Sequence, residues 1–157
     1  MSDEDVELVI AGECYEDPER YLQLIVELGI EGRVRFENRY IPNEEVGRYF
    51  AAADLVTLPY LSATQSGVVQ VANALGVPVL VSDVGGIPEV VEDGKTGIVV
   101  SADDPVAVAE GIDRFFNGEM ESRLKEGMKL KQDLFKWTNL VDTLVHLHQS
   151  VLSNTKK

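Results

Sequence analysis

The sequence contains few of the features that direct a protein to particular partners. It has one cysteine, Cys14, which excludes a disulfide within the chain and is typical of a reducing compartment. It has 14 Lys and Arg residues against 27 Asp and Glu residues. The resulting net charge of −13 argues against a nucleic-acid or anionic-membrane surface, because such surfaces need clustered cations. No apolar run approaches the roughly 20 residues of a membrane-spanning helix.

The first ten residues, MSDEDVELVI, also lack the basic region and the apolar stretch of a signal peptide. We therefore expect a cytoplasmic protein without a transmembrane segment. The 45% hydrophobic and 26% charged residues are ordinary for a globular protein, and 157 residues suffice for one buried core. We predict a single domain over residues 1–153, with a helical C-terminal segment over 119–153 and a frayed tail over 154–157.

What the chain does contain is a regular alternation of strand-like and helical segments. Strands are predicted in VELVIAG, RVRFENR, DLVTLPY, VPVLVSD and GIVVS, and helices between them, with Asp17, Asn43 and Thr138 as N-caps. VELVIAG is expected to be buried on both faces, and the nearly all-apolar helix VVQVANALG to be central and buried. This alternation predicts an α/β fold with a doubly wound parallel sheet flanked by helices.

Ligands of such sheets bind beyond the carboxyl ends of the strands, where three loops are candidates. These loops are Gly12 to Tyr15, Ser62 to Val68, and Val84 to Glu89. In the second loop, TQSG, Gly67 permits a close approach, and the following helix offers free backbone N–H groups. Together these features favour a diphosphate. The alternative is that Thr64 or Ser66 only caps the helix.

The other two loops carry weaker signals. Gly85 and Gly86 permit positive φ or a close backbone approach, but ordinary turns use glycine in the same way. Glu89 either caps its own short helix or accepts a hydrogen bond from a sugar hydroxyl. Gly12 has no second glycine at the spacing of a dinucleotide-binding loop.

Several other kinds of site are not indicated. His146 and His148 are two residues apart on a predicted helix, so they lie on different faces, which disfavours a shared metal ion. The sequence contains no phosphate-binding GxxxxGK[ST] loop and no GxSxG nucleophile motif. We expect neither a metal nor a cofactor.

Taken in order, the segments resemble the carboxyl-terminal, donor-binding domain of the group 1 glycosyltransferases. The resemblance runs from about Glu7 to Phe116 and includes LVIAG, VRF, IPNEEVGRYFAAADLVTLPY, SGVVQVANALGVPVLVSDVGGIPEVVEDGKTGIVV and DPVAVAEGI, with a looser match in FKWTNLV. The family consists of retaining, metal-independent enzymes that use a nucleotide sugar. The resemblance therefore implies a Rossmann-like domain that forms one half of a GT-B architecture.

The resemblance also implies roles for particular positions. The turn formed by Thr64, Gln65, Ser66, Gly67 and Val68 would hold the nucleotide diphosphate, and Gly85 and Gly86 would approach the donor sugar and phosphates. Arg39, Tyr40 and Ile41 would contact the nucleotide base, and Gly12 would line the same cleft. A nucleotide sugar is thus the expected substrate.

The chain departs from the family pattern in two respects. Where the family carries two glutamates eight positions apart, this chain has Ala63 and Val71, or Thr64 and Ala72 after a shift of one residue. In this TQSG-containing variant, Thr64, Gln65 and Gln70 would replace the carboxylates with neutral hydrogen bonds. The amino-terminal acceptor domain, and the strand and helix that open the donor domain, have no counterpart. We therefore expect a fragment that is inactive alone, with an exposed sheet edge able to drive self-association.

Three functions are compatible with these residues. The first is binding of the donor for glycosyl transfer, with no catalytic base assigned. The second is a non-catalytic α/β interaction module on the same scaffold, which the absent glutamates favour. The third is a nucleotide-sugar epimerase or phosphorylase, which the lack of acidic and lysine side chains in the central loops disfavours.

Overall fold

The computed structural model describes residues 6–118, 120–134 and 137–154. The chain divides into two compact units, Met1–Tyr49 and Phe50–Lys157, which are described separately. The prediction of a single domain over residues 1–153 stays a prediction.

The first unit contains two parallel strands with a helix between them. β1 (Leu8–Gly12) is followed by α1 (Glu19–Glu27), a 3-10 turn (Glu31–Arg33), β2 (Val34–Asn38) and α2 (Asn43–Ala52), which ends beyond the boundary of the unit. β1 pairs with β2 from Leu8 opposite Val34 to Gly12 opposite Asn38. The ring centroids of Tyr21 and Phe36 are 6.4 Å apart, so α1 packs on β2.

The prediction that β1 is buried on both faces is wrong. Leu8, Val9 and Ile10 are 48%, 42% and 38% exposed, and no side chain among residues 6–49 is buried. The physical reason is the small number of elements, since a two-stranded sheet and its crossover helix cannot enclose both faces of a strand. The apolar run of β1 correctly indicated a strand but not its surroundings.

The second unit contains three parallel strands and the remaining helices. Its elements are β3 (Val56–Leu58), α3 (Gly67–Leu75), β4 (Val79–Ser82), α4 (Ile87–Val90), β5 (Gly97–Val100), α5 (Pro105–Phe116), α6 (Met120–Leu134) and α7 (Trp137–Asn154). The strand order is β3-β4-β5, with Val56 opposite Val79 and Val79 opposite Gly97. The predicted α/β fold of parallel strands flanked by helices is confirmed, with the five strands divided between two sheets.

The core of the second unit lies on both faces of β4, all of whose residues are buried. On one face Val79 and Val81 pack with residues of α3 and α4, including Val69, Ala72 and Ile87. On the other face Leu80 packs with Ile98, Phe115 of α5 and Leu124 of α6. Since successive side chains of a strand point to opposite faces, a strand covered on both sides must be apolar throughout.

The helix termini agree only in part with the sequence. Asp104 caps α5, because its Oδ1 accepts hydrogen bonds from the N–H groups of Val106 and Ala107, both at 3.0 Å. Asn43 and Thr138, predicted as caps, lie inside the first turns of α2 and α7, which begin at Asn43 and Trp137. Asp17 is not the N-cap of α1 either, because that position is held by Pro18. α3 is buried only on its sheet-facing side, since Val71 and Leu75 are 36% and 50% exposed. The prediction of a fully buried α3 is therefore wrong.

Candidate functional site

Two of the predicted loops meet at one edge of the sheet in the second unit. TQSG follows β3 and the glycine pair follows β4, so both lie at the carboxyl ends of adjacent parallel strands. The N–H of Gly86 donates a hydrogen bond to the carbonyl of Thr64 at 2.9 Å. The structure thus brings Thr64 to Val68 together with Gly85 and Gly86.

This loop contact requires both glycines. Gly85 has a φ of +53°, and a Cβ on it would lie 1.7 Å from the carbonyl oxygen of Ala63. A Cβ on Gly86 would lie 2.9 Å from the carbonyl oxygen of Thr64. Real side chains do not approach backbone oxygens so closely, so the glycine pair is needed for the packing of the two loops, with or without a ligand.

Ser66 caps α3, which is one of the two roles that its sequence context predicted. It is 7% exposed, and its Oγ accepts a hydrogen bond from the N–H of Val69 at 3.4 Å. The same Oγ lies 3.3 Å from the hydroxyl of Tyr60. The hydroxyl of Ser66 is therefore occupied by contacts within the protein.

The N–H groups that remain free at this helix end belong to Gly67 and Val68. Both residues are exposed, and no acceptor for either N–H lies among the residues that the structure describes. Thr64 and Gln65 are also exposed, with side chains that have no partner in the described part of the chain. The first N–H groups of a helix carry the positive end of its dipole, so this pair offers an anion a favourable position.

One carboxylate lies beside the glycine pair. Glu89, in the first turn of α4, is exposed, and its Oε2 lies 3.8 Å from the point that a Cβ of Gly86 would occupy. Glu89 does not cap α4 as one of its predicted roles required, since its side chain makes no hydrogen bond to a described residue and the N–H of Gly86 is bonded to Thr64. The hydrogen bond to a sugar hydroxyl stays a prediction. At the two positions where the family pattern has glutamates, Ala63 packs against the core and Val71 is exposed on α3.

The remaining predicted residues belong to the first unit. Gly12 ends β1 with a φ of +149°, and its carbonyl accepts a hydrogen bond from the N–H of Arg39 at 3.2 Å. Gly12 and Arg39 therefore lie together where β1 and β2 end. Tyr40 is 66% exposed and Ile41 is half-buried.

The side chain of Arg39 belongs to a polar network that sequence reasoning missed. Its Nη2 donates to Glu45 Oε2 at 2.6 Å and to the hydroxyl of Tyr49 at 3.0 Å. The hydroxyl of Tyr49 in turn donates to Glu37 Oε2 at 2.5 Å. The hydrogen bond from Arg39 lowers the pKa of Glu45, and the hydrogen bond to Glu37 raises the pKa of Tyr49. The signal was available as Glu37 near the end of β2 and Arg39 just beyond it, followed by Glu45 and Tyr49 in the helical segment.

The second unit also has a shallow depression of about 570 Å³ between α5 and α6, lined by Asp113, Arg114, Asn117, Gly118, Met120 and Arg123. None of the predicted site residues lines it. Among the described residues, no three His, Cys, Asp or Glu side chains are grouped as a metal site requires. No helix in the described ranges is long and apolar enough to cross a bilayer.

Comparison with known proteins gives a consistent family relationship. Residues 1–117 match the family model described as glycosyl transferases group 1. The D-inositol 3-phosphate glycosyltransferase of Corynebacterium efficiens is 33% identical over 133 residues, which are 83% of this chain and 31% of that protein. The chain thus spans about a third of the length of the curated relatives it matches.

Solved structures share the fold. The C-terminal domain of the group 1 glycosyl transferase LpcC from Francisella tularensis has a TM-score of 0.76 and 18% identity, covering 87% of this chain and 73% of that one. Anabaena HepE, in complex with UDP and glucose, has a TM-score of 0.73 and 20% identity, covering 95% and 42%. The matched HepE chain is thus much longer than the matched LpcC domain.

Proposed function

Because the chain belongs to the group 1 glycosyl transferases, we propose that it binds the diphosphate of a nucleotide-sugar donor on the loops Thr64–Val68 and Gly85–Gly86. The observation that carries this proposal is that the exposed residues Gly67 and Val68 begin α3 with N–H groups that lack acceptors among the described residues. Family membership supports glycosyl transfer as the reaction, and the free helix terminus supports a phosphate as the group that is held.

The proposed chemistry is electrostatic. When the bond between the sugar and the diphosphate breaks, negative charge develops on the leaving phosphate. The two N–H groups and the dipole of α3 would stabilise that charge without needing to reorganise during the reaction. We assign no catalytic base, and we propose retention of the anomeric configuration and independence from metal ions on the family resemblance alone.

The nucleotide base is proposed to contact Arg39, Tyr40 and Ile41 of the first unit. Of the three side chains, that of Tyr40 is the most suitable for stacking, because it is 66% exposed. The guanidinium of Arg39 is engaged by Glu45 and Tyr49, so we propose that Arg39 positions the loop. HepE has been solved with UDP, which makes uridine the first base to test.

An alternative is a non-catalytic interaction module. The close contact between Gly85 and the carbonyl of Ala63 favours this alternative, because packing alone explains the glycine pair. The absence of carboxylates at Ala63 and Val71 points in the same direction. The two functions can be distinguished, because only donor binding predicts that a nucleoside diphosphate binds the N–H groups of Gly67 and Val68.

An amide NMR titration of the chain with UDP, GDP and ADP, each added separately, tests the proposal. We expect saturable shifts at Gly67, Val68, Gly85 and Gly86, and further shifts at Tyr40 for the preferred base. UMP and inorganic phosphate are the controls, because they distinguish recognition of a diphosphate from general anion binding. If none of the three nucleotides causes a shift at several millimolar, the interaction module is the better explanation.

A further inference from the structure

Two adjacent side chains of α6 bind the far ends of the two helices that carry the candidate loops. Gln132 Nε2 donates a hydrogen bond to the carbonyl of Ala74 at 2.7 Å, in the last turn of α3. Lys131 Nζ donates a hydrogen bond to the carbonyl of Val90, the last residue of α4. The N-terminal ends of the same two helices bear TQSG and the glycine pair.

Gln132 completes the hydrogen bonding at the end of α3. The carbonyls of Ala72 and Asn73 already accept hydrogen bonds from the N–H groups of Gly76 and Val77. Gln132 supplies a donor for the next carbonyl, which would otherwise lack a partner within the helix. Gly76 permits this approach, because a Cβ on it would lie 2.9 Å from Gln132 Nε2.

Lys131 performs the same task for α4, with a charge. A cation near the C-terminus of a helix is favourable because the carbonyls there carry the negative end of the dipole. Lys131 is half-buried, and burial lowers the pKa of its amino group, while Glu92 acts in the opposite direction. At this position the amino group of Lys131 loses part of its hydration, and the carbonyl of Val90 replaces some of the lost hydrogen bonding. The position of Lys131 is therefore specific to the packing of α6 against α4.

α6 is itself firmly held, so it can act as a fixed support. Leu124 and Met128 are fully buried, and Leu124 packs with Leu80 and Ile98 of the sheet. Gly127 brings the helix against the turn after α4, since a Cβ on it would lie 2.0 Å from the carbonyl oxygen of Lys95. The donors at positions 131 and 132 are therefore carried by an element that is anchored on the core.

We propose that Lys131 and Gln132 are positioning residues for the donor site, holding α3 and α4 at their C-termini so that their N-terminal loops keep the Gly86–Thr64 contact. α3 and α4 are then connected at both ends. The hydrogen bond between Gly86 and Thr64 connects them at their N-terminal ends, and α6 connects them at their C-terminal ends. The inference rests on the proposed function in so far as the positioned loops bind a diphosphate.

The test compares Lys131→Met and Gln132→Ala with Lys129→Met. Lys129 is exposed on the same helix and has no partner in the described part of the chain, so its substitution removes the same charge without the contact. The first measurement is amide hydrogen exchange without ligand, at Val69, Gln70 and Gly86, whose N–H groups form the hydrogen bonds of the loop region. The second is the Kd for UDP, corrected for the fraction of folded protein.

For both test variants we expect faster exchange at these three amides than elsewhere in the second unit. We also expect a Kd for UDP that rises roughly 3- to 10-fold, as is typical of coupling through packed contacts. Lys131→Arg, which keeps the charge and the donors, should restore both values towards those of the unchanged chain. Lys129→Met should leave them as they are.

A purely structural role predicts a different result. If exchange rises evenly through the second unit and the corrected Kd is unchanged, Lys131 and Gln132 only stabilise the fold and the inference is wrong. If UDP does not bind to the unchanged chain, the proposed function fails. The exchange measurement then decides the inference by itself, with local acceleration supporting it and its absence overturning it.

Discussion

The two units of this chain form parallel strand pairs under very different conditions of burial. In the second unit every residue of β4 is buried, and side chains of α3 to α6 cover both of its faces. Among residues 6–49 no side chain is buried, although β1 is as apolar as β4. The first unit instead shows a five-residue backbone ladder and a network of partly exposed ion pairs around Arg39.

An apolar run therefore identifies a strand, but it does not show how much the burial of that strand contributes to stability. Exposed ion pairs contribute about 0–1 kcal/mol each, whereas a large buried side chain contributes several times more. Equivalent substitutions should therefore have unequal effects in the two units. The first three of the following predictions test this difference with one variant in either unit, and the fourth concerns the ion pair of the first unit alone.

The largest difference is expected for leucine. Leu80 is fully buried between β5, α5 and α6, so Leu80→Ala should lower the free energy of unfolding by about 3 to 5 kcal/mol. Leu24 is 51% exposed on α1, so Leu24→Ala should lower the free energy of unfolding by less than about 1 kcal/mol. Urea denaturation followed by circular dichroism measures both. Equal losses would show that the first unit has a core after all.

Glycine should give the next largest difference. Gly85→Ala forces a side chain into a positive φ and against the carbonyl of Ala63, which should cost about 2 to 4 kcal/mol and break the contact between Gly86 and Thr64. Gly32→Ala meets nothing within 4 Å, and should be neutral or stabilising by up to about 1 kcal/mol. Thermal unfolding gives the stabilities, and the amide shift of Gly86 reports on the loops. A Gly86 amide unchanged in Gly85→Ala would contradict the described loop contact.

A smaller difference is expected at the helix caps. Asp104 accepts two N–H hydrogen bonds at the start of α5, and Asp104→Ala should cost about 1 to 2 kcal/mol. Asp17 lies one residue before Pro18, the N-cap of the exposed helix α1, and accepts one hydrogen bond, from the N–H of Glu19 at 3.1 Å, so Asp17→Ala should cost about 0.5 kcal/mol. Asn replacements keep an acceptor and serve as controls in the same denaturation experiment. The prediction fails if the two alanine variants lose the same stability.

The smallest effect concerns the pH dependence of the first unit. The pKa of Glu45 is lowered in the folded chain by the hydrogen bond from Arg39, so the pair stabilises the fold above the pKa that Glu45 has when unfolded. That contribution is lost as the pH falls through the lowered, folded pKa. Carboxyl-detected NMR titration should show the pKa of Glu45 rising towards its ordinary value in Arg39→Met. Arg48→Met is the control, because it removes a charge near Glu45 but not the hydrogen bond.

The sequence predicted most of the local structure, because the signals involved are local. The alternation of strands with helices and the cap that Ser66 forms on α3 both depend on residues close in the chain. The burial of β1 and α3 could not be predicted in the same way. It depends on which other elements cover an apolar face, and that information is not contained in the apolar pattern itself.

The candidate site was predictable as a set of loops but not as a set of roles. The positions of TQSG and the glycine pair after parallel strands sufficed to bring them to the same edge of the sheet. The cap formed by Ser66 was one of two roles that its local sequence allowed. The contact between Gly85 and the carbonyl of Ala63 had no such signal, because it depends on packing between loops that are far apart in the chain. The support from Lys131 and Gln132 joins positions 41 and 58 residues apart, for which the sequence contains no local signal.

The central place of β4 has a consequence for the chain while it is being synthesised. β4 emerges from the ribosome before β5, α5 and α6, so one edge and one face of an uncharged apolar strand are then open to other chains. Short segments of this kind are prone to aggregate, and proteins commonly flank them with proline or charge. Pro78 and the exposed Asp83 stand at the two ends of β4 and are suited to this protection. Replacing Asp83 with an apolar residue should therefore reduce the yield of soluble chain more than it reduces the stability of the folded protein.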